Sequence, residues 1–181
     1  MYHLDGMQDL EFKSELRDAP LARAVLERRN GVHACTIRQR DTYYRVPTGR
    51  FKKREAEVDG VAEPTEFIRY DRDYRPGPRI SRFQILTPEE TAERFGETLP
   101  APWLVVEKTR ELYMADGARV HLDEVDGLGR FLEIELLVTP KNNLARAHER
   151  LSALRSALAP CLGEPIADGY ADLLAAEQGV R

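Results

Sequence analysis

The sequence predicts a mainly β fold of the α+β class, a closed eight-stranded antiparallel β-barrel with helices packed outside. Charged residues recur at every second position in five separate segments, which places them on one face of each segment if it is extended. Many short strand patterns are separated by turn signals, as in a barrel or a sandwich. A sandwich would carry these charges outside, whereas a barrel can hold a polar interior within an apolar, helix-covered exterior. The pattern therefore favours the barrel.

The strand signals follow one another along the chain with turn residues between them. β-branched and aromatic residues predict a long strand from Val32 to Val46, and Pro47-Thr48-Gly49 turns the chain back into the next strand. Asp116-Gly117 is a further hairpin turn, and we read Gly127-Leu128-Gly129 in the same way rather than as a phosphate-binding loop. The predicted strands cover residues 9–16, 32–46, 50–58, 65–71, 80–86, 104–114, 118–125 and 131–138.

Four segments carry helix signals. Asp18-Ala19-Pro20 supplies an N-cap and a first-turn proline for a helix over residues 20–30. Thr87-Pro88-Glu89-Glu90 supplies a cap and first-turn carboxylates for a short helix that ends near Phe95. Leucines on one face predict a helix over residues 140–159, and residues 169–177 form a last candidate.

Length and composition bound the class of protein. A chain of 181 residues favours one domain over residues 1–181 and is long enough to bury a core. Its 27 Lys and Arg against 31 Asp and Glu disfavour a basic surface for nucleic acid. Cys35 and Cys161 fit no metal or redox spacing and are expected to pack as thiols. Without a signal-peptide pattern or a long apolar run, we expect a cytoplasmic protein with no membrane partner, and a homodimer is left open.

The clearest functional signal is a cationic strand. Arg50, Lys52 and Arg54 share one face, and such a row of like charges repels itself unless an anion lies opposite. The same spacing recurs in Asp9, Glu11 and Lys13, in Lys108 and Arg110, in Arg119, His121 and Asp123, and in Glu133 and Glu135. The pattern predicts a sheet face turned towards a polyanion and its metal ions.

A series of motifs in a fixed order covers nearly the whole chain. They are Asp9-Leu10-Glu11-Phe12-Lys13, Asp41-Thr42-Tyr43-Tyr44, Arg50-Phe51-Lys52-Lys53-Arg54, Ile68-Arg69-Tyr70, Glu107-Lys108-Thr109-Arg110, the run from Val120 to Gly129, Phe131-Leu132-Glu133-Ile134-Glu135 and Gly169-Tyr170-Ala171-Asp172-Leu173-Leu174. Each motif is weak alone, but in this order they resemble the CYTH superfamily of triphosphate tunnel metalloenzymes. That superfamily includes class IV adenylyl cyclases, thiamine triphosphatases and inorganic triphosphatases.

The resemblance implies a tunnel-forming barrel in which basic residues hold a small-molecule triphosphate and carboxylates hold a divalent metal. Guanidinium and ammonium groups suit phosphate oxygens, and the expected triphosphate ligands are Arg50, Lys52, Arg54, Arg69, Lys108, Arg110 and Arg119. Carboxylate oxygens suit Mg²⁺ or Mn²⁺, and the expected metal ligands are Asp9, Glu11, Asp123, Glu133 and Glu135. Asp9 replaces the glutamate of the family signature, so its shorter arm is expected to reach the metal only through water. The expected catalytic residues are Glu11, Lys13 and Arg119.

Each of these roles has a simpler alternative. The cations could form a solvated strand face, the carboxylates could serve only as their counterions, and Lys13 could pair with Glu11 or Glu133. His121 shares the predicted inner face and is either a hydrogen-bonded structural residue or a catalytic one. Tyr43 or Tyr44 caps the tunnel or packs, and Lys53, on the opposite face, is expected to be exposed.

The sequence leaves the reaction open. The Gly-Leu-Gly-x-Phe-Leu-Glu-Ile-Glu run resembles the cyclase-like branch, in which the ribose 3′-hydroxyl of ATP attacks the α-phosphorus and expels pyrophosphate. Near its N-terminus the chain has Tyr2-His3-Leu4 instead of the His-Phe pair of that branch, so a triphosphatase is a close alternative. A non-catalytic nucleotide- or polyphosphate-binding module is a third possibility, which the set of carboxylates argues against.

Overall fold

The structure is a computed structural model and describes residues 7–180, so Tyr2-His3-Leu4 lies outside the described residues. Within that range the strands are β1 Met7–Leu16, β2 Val32–Tyr44, β3 Arg50–Val58, β4 Val61–Ala62, β5 Glu66–Arg72, β6 Arg79–Leu86, β7 Pro102–Ala115, β8 Ala118–Val125, β9 Gly129–Leu137 and β10 Leu162–Pro165. The helices are α1 Ala19–Arg28, α2 Pro88–Phe95, α3 Leu144–Leu158 and α4 Tyr170–Gln178.

Eight of these strands close into an antiparallel barrel. The order around it is β1-β6-β5-β3-β2-β7-β8-β9, and β9 pairs with β1 to complete the ring. The short strands β4 and β10 pair with β3 and β1, outside the ring. The two-residue turn between β7 and β8 has positive φ at both Asp116 and Gly117, which gives the tight hairpin that the sequence predicted. The predicted barrel is confirmed.

The main apolar core lies between the outer face of the barrel and two helices. Outward-facing side chains such as Phe12, Ile134 and Leu136 pack against Leu26 of α1 and Leu154 of α3. A smaller cluster of Tyr44, Phe51 and Leu86 packs against Phe95 at the end of α2. Helices therefore cover the outside, as predicted, and leave the inner face to charged residues. Cys161 is buried in the main core and Cys35 is partly exposed, and both are free thiols.

Local caps set where the helices begin. The Asp18 carboxylate accepts a hydrogen bond from the Leu21 amide and starts α1, and Thr87 forms a capping box with Glu90 at α2. Helix α3 begins at Leu144 rather than near residue 140, because Asn143 caps it after a turn closed by Thr139. None of the helices within residues 7–180 is long and apolar enough to cross a membrane.

Helix α4 has a different role from the others, since it lies across one end of the barrel. Tyr170, Ala171, Leu174 and Ala175 of this helix pack against inward-facing Tyr43, Leu104, Val106, Val125 and Phe131. These barrel residues come from the same end of their strands. The barrel is therefore closed at this end and open at the opposite one, where Ile85 is half exposed.

The outer core can be tested with two neighbouring leucines of β9. Leu136 is fully buried against the helices, whereas Leu137 is 41 % exposed. We expect Leu136→Ala to lower the free energy of unfolding by about 2–5 kcal/mol, because it leaves a cavity in a packed core. Leu137→Ala should cost about 1 kcal/mol or less in the same denaturant titration. Equal losses in the two variants would contradict the placement of the core outside the barrel.

Candidate active site

Alternate side chains of the barrel strands surround an inner cavity of about 360 Å³. Its charged lining residues are Asp9, Glu11, Lys13, Lys52, Arg54, Glu66, Arg72, Lys108, Arg110, Arg119, Glu133 and Glu135. The other lining residues include Gln39, Tyr43, Tyr70, His121 and Tyr170, with Ile37, Phe83, Ile85 and Leu112 towards the open end. The structure thus brings most of the sequence-predicted site residues together.

One wall of the cavity is basic and is anchored by a buried aspartate. Asp41 Oδ2 accepts a hydrogen bond from Lys52 Nζ at 2.6 Å, and Arg54 donates to both Asp41 oxygens at 2.8 and 2.9 Å. Burial alone would raise the pKa of Asp41, but the charges of Lys52 and Arg54 hold this pKa well below its usual range. Asp41 is 1 % exposed and does not line the cavity, so it orients the two cations from behind.

Two lysines of this wall have weakened basicity. Burial, with Arg54 beside it, lowers the pKa of Lys52 to about 7, although Asp41 opposes the shift. Burial, with Arg110 beside it, lowers the pKa of Lys108 to about 8. An incoming anion would restore the charge on both groups, because it supplies the counter-charge that the buried ammonium groups lack.

Asp123 anchors a third cation in the same way as Asp41. Its two oxygens accept hydrogen bonds from Arg110 Nε at 2.7 Å and Arg110 Nη2 at 2.6 Å, and Tyr170 Oη donates to Oδ2 at 2.7 Å. The side chain is fully buried and does not line the cavity. Asp123 therefore lies behind Arg110 rather than at the cavity surface, and its metal-binding role stays a prediction.

The opposite wall carries the paired glutamates of β9. Glu133 Oε1 lies 2.9 Å from Lys13 Nζ, and Glu133 Oε2 lies 2.5 Å from Arg110 Nη2. Glu135 Oε2 lies 3.2 Å from Arg119 Nη2. Burial would raise the pKa of Glu133, yet Lys13 and Arg110 hold this pKa well below its usual range, so the group stays ionised. Lys13, whose own pKa is lowered by burial, thus forms the ion pair with Glu133 that the sequence allowed.

The carboxylates of β1 are held by arginines. Glu11 Oε1 accepts hydrogen bonds from Arg79 Nε at 2.7 Å and Arg72 Nη1 at 3.2 Å. Asp9 Oδ2 accepts one from Arg119 Nη2 at 2.7 Å, and its Oδ1 is buried with no hydrogen-bond partner among residues 7–180. Burial and the neighbouring Glu135 raise the pKa of Asp9 to about 6. Glu11 and Asp9 therefore lie at the cavity, and their metal-binding role stays a prediction.

The structure separates two predicted phosphate ligands from the main cavity. Arg69 lies opposite Phe51 in the β3–β5 pairing and so faces outward with it, because the inward positions of β5 are Glu66, Ile68, Tyr70 and Arg72. Arg50 faces inward but lines a second, neighbouring cavity of about 240 Å³, where Arg50 Nη2 is 2.5 Å from Asp172 Oδ1. Arg69 and Arg50 do not line the main cavity, and their phosphate-binding roles stay predictions.

The structure also shows where the residues lie whose roles the sequence left undecided. Tyr43 lines the cavity and Tyr44 packs outside it, while Lys53 lies on the outer face, partly exposed, 3.2 Å from Glu55. His121 lines the cavity and is 4 % exposed. Sequence reasoning assigned no site role to Arg72, Arg79, Asp41, Gln39 or Tyr170. Arg72 could have been found, since it continues the period of Tyr70, but Tyr170 reaches the cavity only because α4 folds back over the barrel.

A divalent metal fits the acidic wall. Ligand atoms of His121, Glu133 and Glu135 lie within 4.8 Å of one another. Carboxylate oxygens are the ligands that Mg²⁺ and Mn²⁺ prefer, and Glu133 and Glu135 provide them from alternate positions of one strand. The cavity thus combines a basic wall for an anion with a donor set for a cation.

The fold and the site together describe a closed β-barrel whose interior carries one basic wall and one acidic wall. The CYTH domain family matches residues 60–170, more than half of the chain. The chain therefore belongs to the CYTH domain family. Comparison with proteins of curated function finds no match.

Several solved structures share the fold. The PH1819 protein from Pyrococcus horikoshii OT3 is 20 % identical, with a TM-score of 0.67, and the match covers 93 % of this chain and 99 % of that one. A candidate adenylate cyclase from Vibrio parahaemolyticus is 16 % identical, with a TM-score of 0.61, over 94 % and 99 % of the two chains. A candidate adenylyl cyclase from Hippeastrum with a dominant triphosphatase activity is 10 % identical, with a TM-score of 0.57, over 97 % of each chain. At these identities the likeness shows the fold.

The low pKa of Lys52 predicts how anion binding depends on pH. As the pH rises from about 7 to about 9, the free protein loses protons from Lys52 and Lys108, so its affinity for inorganic triphosphate should fall. Binding at the upper end of this range should take up protons, which calorimetry in buffers of different ionisation enthalpy measures. Lys52→Met should reduce this uptake, and Lys53→Met on the outer face should not. Proton release on binding would contradict the assignment.

Proposed function

We propose that this protein is a metal-dependent enzyme acting on a nucleoside triphosphate, most simply as a class IV adenylyl cyclase-like enzyme. The supporting observation is that four cations, Lys52, Arg54, Lys108 and Arg110, line the same cavity as the Glu133 and Glu135 carboxylates. The cations suit a chain of phosphate groups, and the carboxylates suit the metal that accompanies it. In the cyclase reaction, ATP yields 3′,5′-cyclic AMP and pyrophosphate.

The charge balance of the cavity supports a requirement for metal. Seven cationic and five carboxylate side chains line it, and Asp41 and Asp123 lie directly behind the cations. A triphosphate entering this nearly balanced site would bring several negative charges that the protein alone does not neutralise. Mg²⁺ or Mn²⁺ at Glu133 and Glu135 would supply the missing charge and act as a Lewis acid on phosphoryl oxygens.

The open end of the cavity supports a substrate that carries an organic group. Ile37, Phe83, Ile85 and Leu112 line this end, whereas the cations Lys52, Lys108 and Arg110 are buried. Gln39 also lines the cavity, is 7 % exposed, and has an Oε1 with no hydrogen-bond partner among residues 7–180. An apolar rim beside the unpaired Gln39 side-chain oxygen suits a nucleobase or a similar ring better than it suits inorganic triphosphate.

The residues of the chain act mainly by positioning and by neutralising charge. Lys52, Arg54, Lys108 and Arg110 would bind phosphate oxygens, with Arg54 and Arg110 held in place by Asp41 and Asp123. Arg119 would stabilise charge that develops on the phosphoryl group. Lys13, held 2.9 Å from Glu133 at the α4 end, would bridge oxygens of the outer phosphates, and Glu11 would help to hold the metal. The ribose 3′-oxygen bonds to the α-phosphorus, its proton leaves to solvent, and the bond to pyrophosphate breaks.

Hydrolysis of the terminal phosphate is the alternative, and one observation favours it. The α4 end of the cavity is closed, and Lys13 lies there with Nζ 3.8 Å from the centre of the Tyr170 ring. A triphosphate that enters from the open end places its terminal phosphate towards this lysine. Water positioned by Lys13 would then attack the terminal phosphorus. The triphosphatase activity named for the Hippeastrum protein makes this alternative worth testing directly.

Product analysis tests the proposal. Incubated with ATP and Mn²⁺, the protein should form 3′,5′-cyclic AMP and pyrophosphate, resolved by anion-exchange chromatography. ADP and orthophosphate without cyclic nucleotide would replace the cyclase by the triphosphatase. Parallel reactions with thiamine triphosphate and inorganic triphosphate test the role of the organic group. Binding without turnover of any triphosphate would leave only a binding module.

The glutamates of the acidic wall provide the matched mutational test. Glu133→Gln removes a carboxylate charge at nearly constant shape and should lower kcat/KM by about 100-fold or more, because the site loses both a metal ligand and the partner of Lys13. Glu124→Gln, at an exposed position of β8, should leave turnover unchanged. Circular dichroism checks that both variants are folded. Full activity of Glu133→Gln, or of the wild type in excess chelator, would contradict the metal role.

A further inference from the structure

The His121 side chain presents an unusual nitrogen to the acidic wall. Its ring is 4 % exposed, and Nδ1 is buried without a hydrogen-bond partner among residues 7–180. Nδ1 lies 3.7 Å from Glu133 Oε2 and 3.8 Å from Glu135 Oε1, which is too far for a hydrogen bond in either case. A buried imidazole nitrogen that faces two carboxylates and bonds to neither is unfavourable, and it calls for a missing partner.

The spacing of these three atoms suits an ion between them. Around an octahedral ion with bonds of about 2.1 Å, neighbouring ligand atoms lie about 3 Å apart and opposite ones about 4.2 Å apart. The separations of 3.7 and 3.8 Å fall between these values, so small side-chain rotations would bring the three atoms to one centre. Glu135 Oε1 is the freer of the two carboxylate atoms, since Arg119 contacts only Oε2 of that group. Glu133 Oε2 already accepts a hydrogen bond from Arg110 Nη2 at 2.5 Å, so it would offer the ion its second lone pair.

The strand pairing explains why the histidine is in this position. His121 lies directly opposite Glu133 in the β8–β9 pairing, and Arg119 lies opposite Glu135. The three ligand-bearing residues therefore come from two neighbouring strands in a fixed register, which restricts their motion. A ligand set held by paired strands is preorganised for metal.

We propose that His121 binds the metal directly through Nδ1, together with Glu133 and Glu135, and that this nitrogen makes the site select Mn²⁺ over Mg²⁺. The proposal rests on the metal requirement of the proposed function and identifies the ligand that sets the choice of metal. Mg²⁺ prefers oxygen ligands and gives up its water reluctantly. Mn²⁺ also takes carboxylate ligands but, as a first-row transition ion, it accepts an imidazole nitrogen more readily than Mg²⁺ does. The ring is neutral in this role and carries its proton on Nε2.

Electron paramagnetic resonance of Mn²⁺ bound to the full chain tests the nitrogen ligand directly. Electron-spin-echo modulation should show coupling to one ¹⁴N nucleus, in samples with Mn²⁺ alone and with Mn²⁺ plus inorganic triphosphate. His121→Asn, which places an oxygen near the position of Nδ1, should abolish the coupling. Absence of nitrogen coupling in the wild-type protein under both conditions overturns the proposal, whether or not the variant folds.

Metal affinities provide the second measurement. In His121→Asn the dissociation constant for Mn²⁺ should rise about tenfold or more, while that for Mg²⁺ should change by about threefold or less. His33→Asn is the matched control, because His33 is an exposed histidine of β2 whose ring contacts that of Tyr113 edge-on. This variant should leave both dissociation constants unchanged. An unchanged ratio of the two constants in His121→Asn overturns the selectivity.

These measurements separate the inference from the proposed function. Metal binding and nitrogen coupling are read without turnover, so an inactive protein with clear ¹⁴N coupling would keep the ligand assignment and remove the enzyme. An active protein whose Mn²⁺ shows no nitrogen coupling would keep the enzyme and remove His121 from the metal. Turnover of ATP is measured on the same samples to distinguish these outcomes.

Discussion

The structure depends on opposite charges that alternate through the interior of a closed barrel. Asp41 holds Lys52 and Arg54, Asp123 holds Arg110, and Glu133 holds Lys13. An isolated buried charge is costly, and a buried pair is tolerated only with good geometry and full hydrogen bonding. These pairs are in direct contact at 2.6 to 2.9 Å, and removing one partner would leave the other uncompensated. These ion pairs hold the cations in fixed positions around a cavity that can receive an anion.

This charged interior explains why the hydrophobic core lies outside the sheet. The inner face is committed to polar groups, so burial of apolar surface must come from the outer face, where α1 and α3 cover one side and α2 another. At one end the barrel interior becomes apolar again, and α4 packs there. The Tyr170 hydroxyl then ties the helix to Asp123, so the closed end and the basic wall share one hydrogen-bond network.

The same arrangement accounts for the proposed chemistry. Cations held by buried carboxylates are already oriented, so little reorganisation is needed when a phosphate chain arrives. The acidic wall supplies hard ligands on the opposite side, and His121 adds a nitrogen between them. Burial lowers the pKa of both Lys52 and Lys108 in the free protein. A bound anion would raise these pKa values again and keep both side chains charged. Anion, proton and metal binding are therefore expected to be linked.

The sequence by itself determined the closed barrel, its outer helices and most of the charged lining, because strand alternation fixes which residues share a face. It could not place Arg69, whose inward or outward direction is set by pairing with Phe51 on another strand, nor Arg50, which pairs with Asp172 of α4 in a second cavity. Nor could it show that Asp123 is turned away to hold Arg110, or that Tyr170 enters the site. Register between strands and closure of the barrel end join distant residues, and only the tertiary structure decides such contacts.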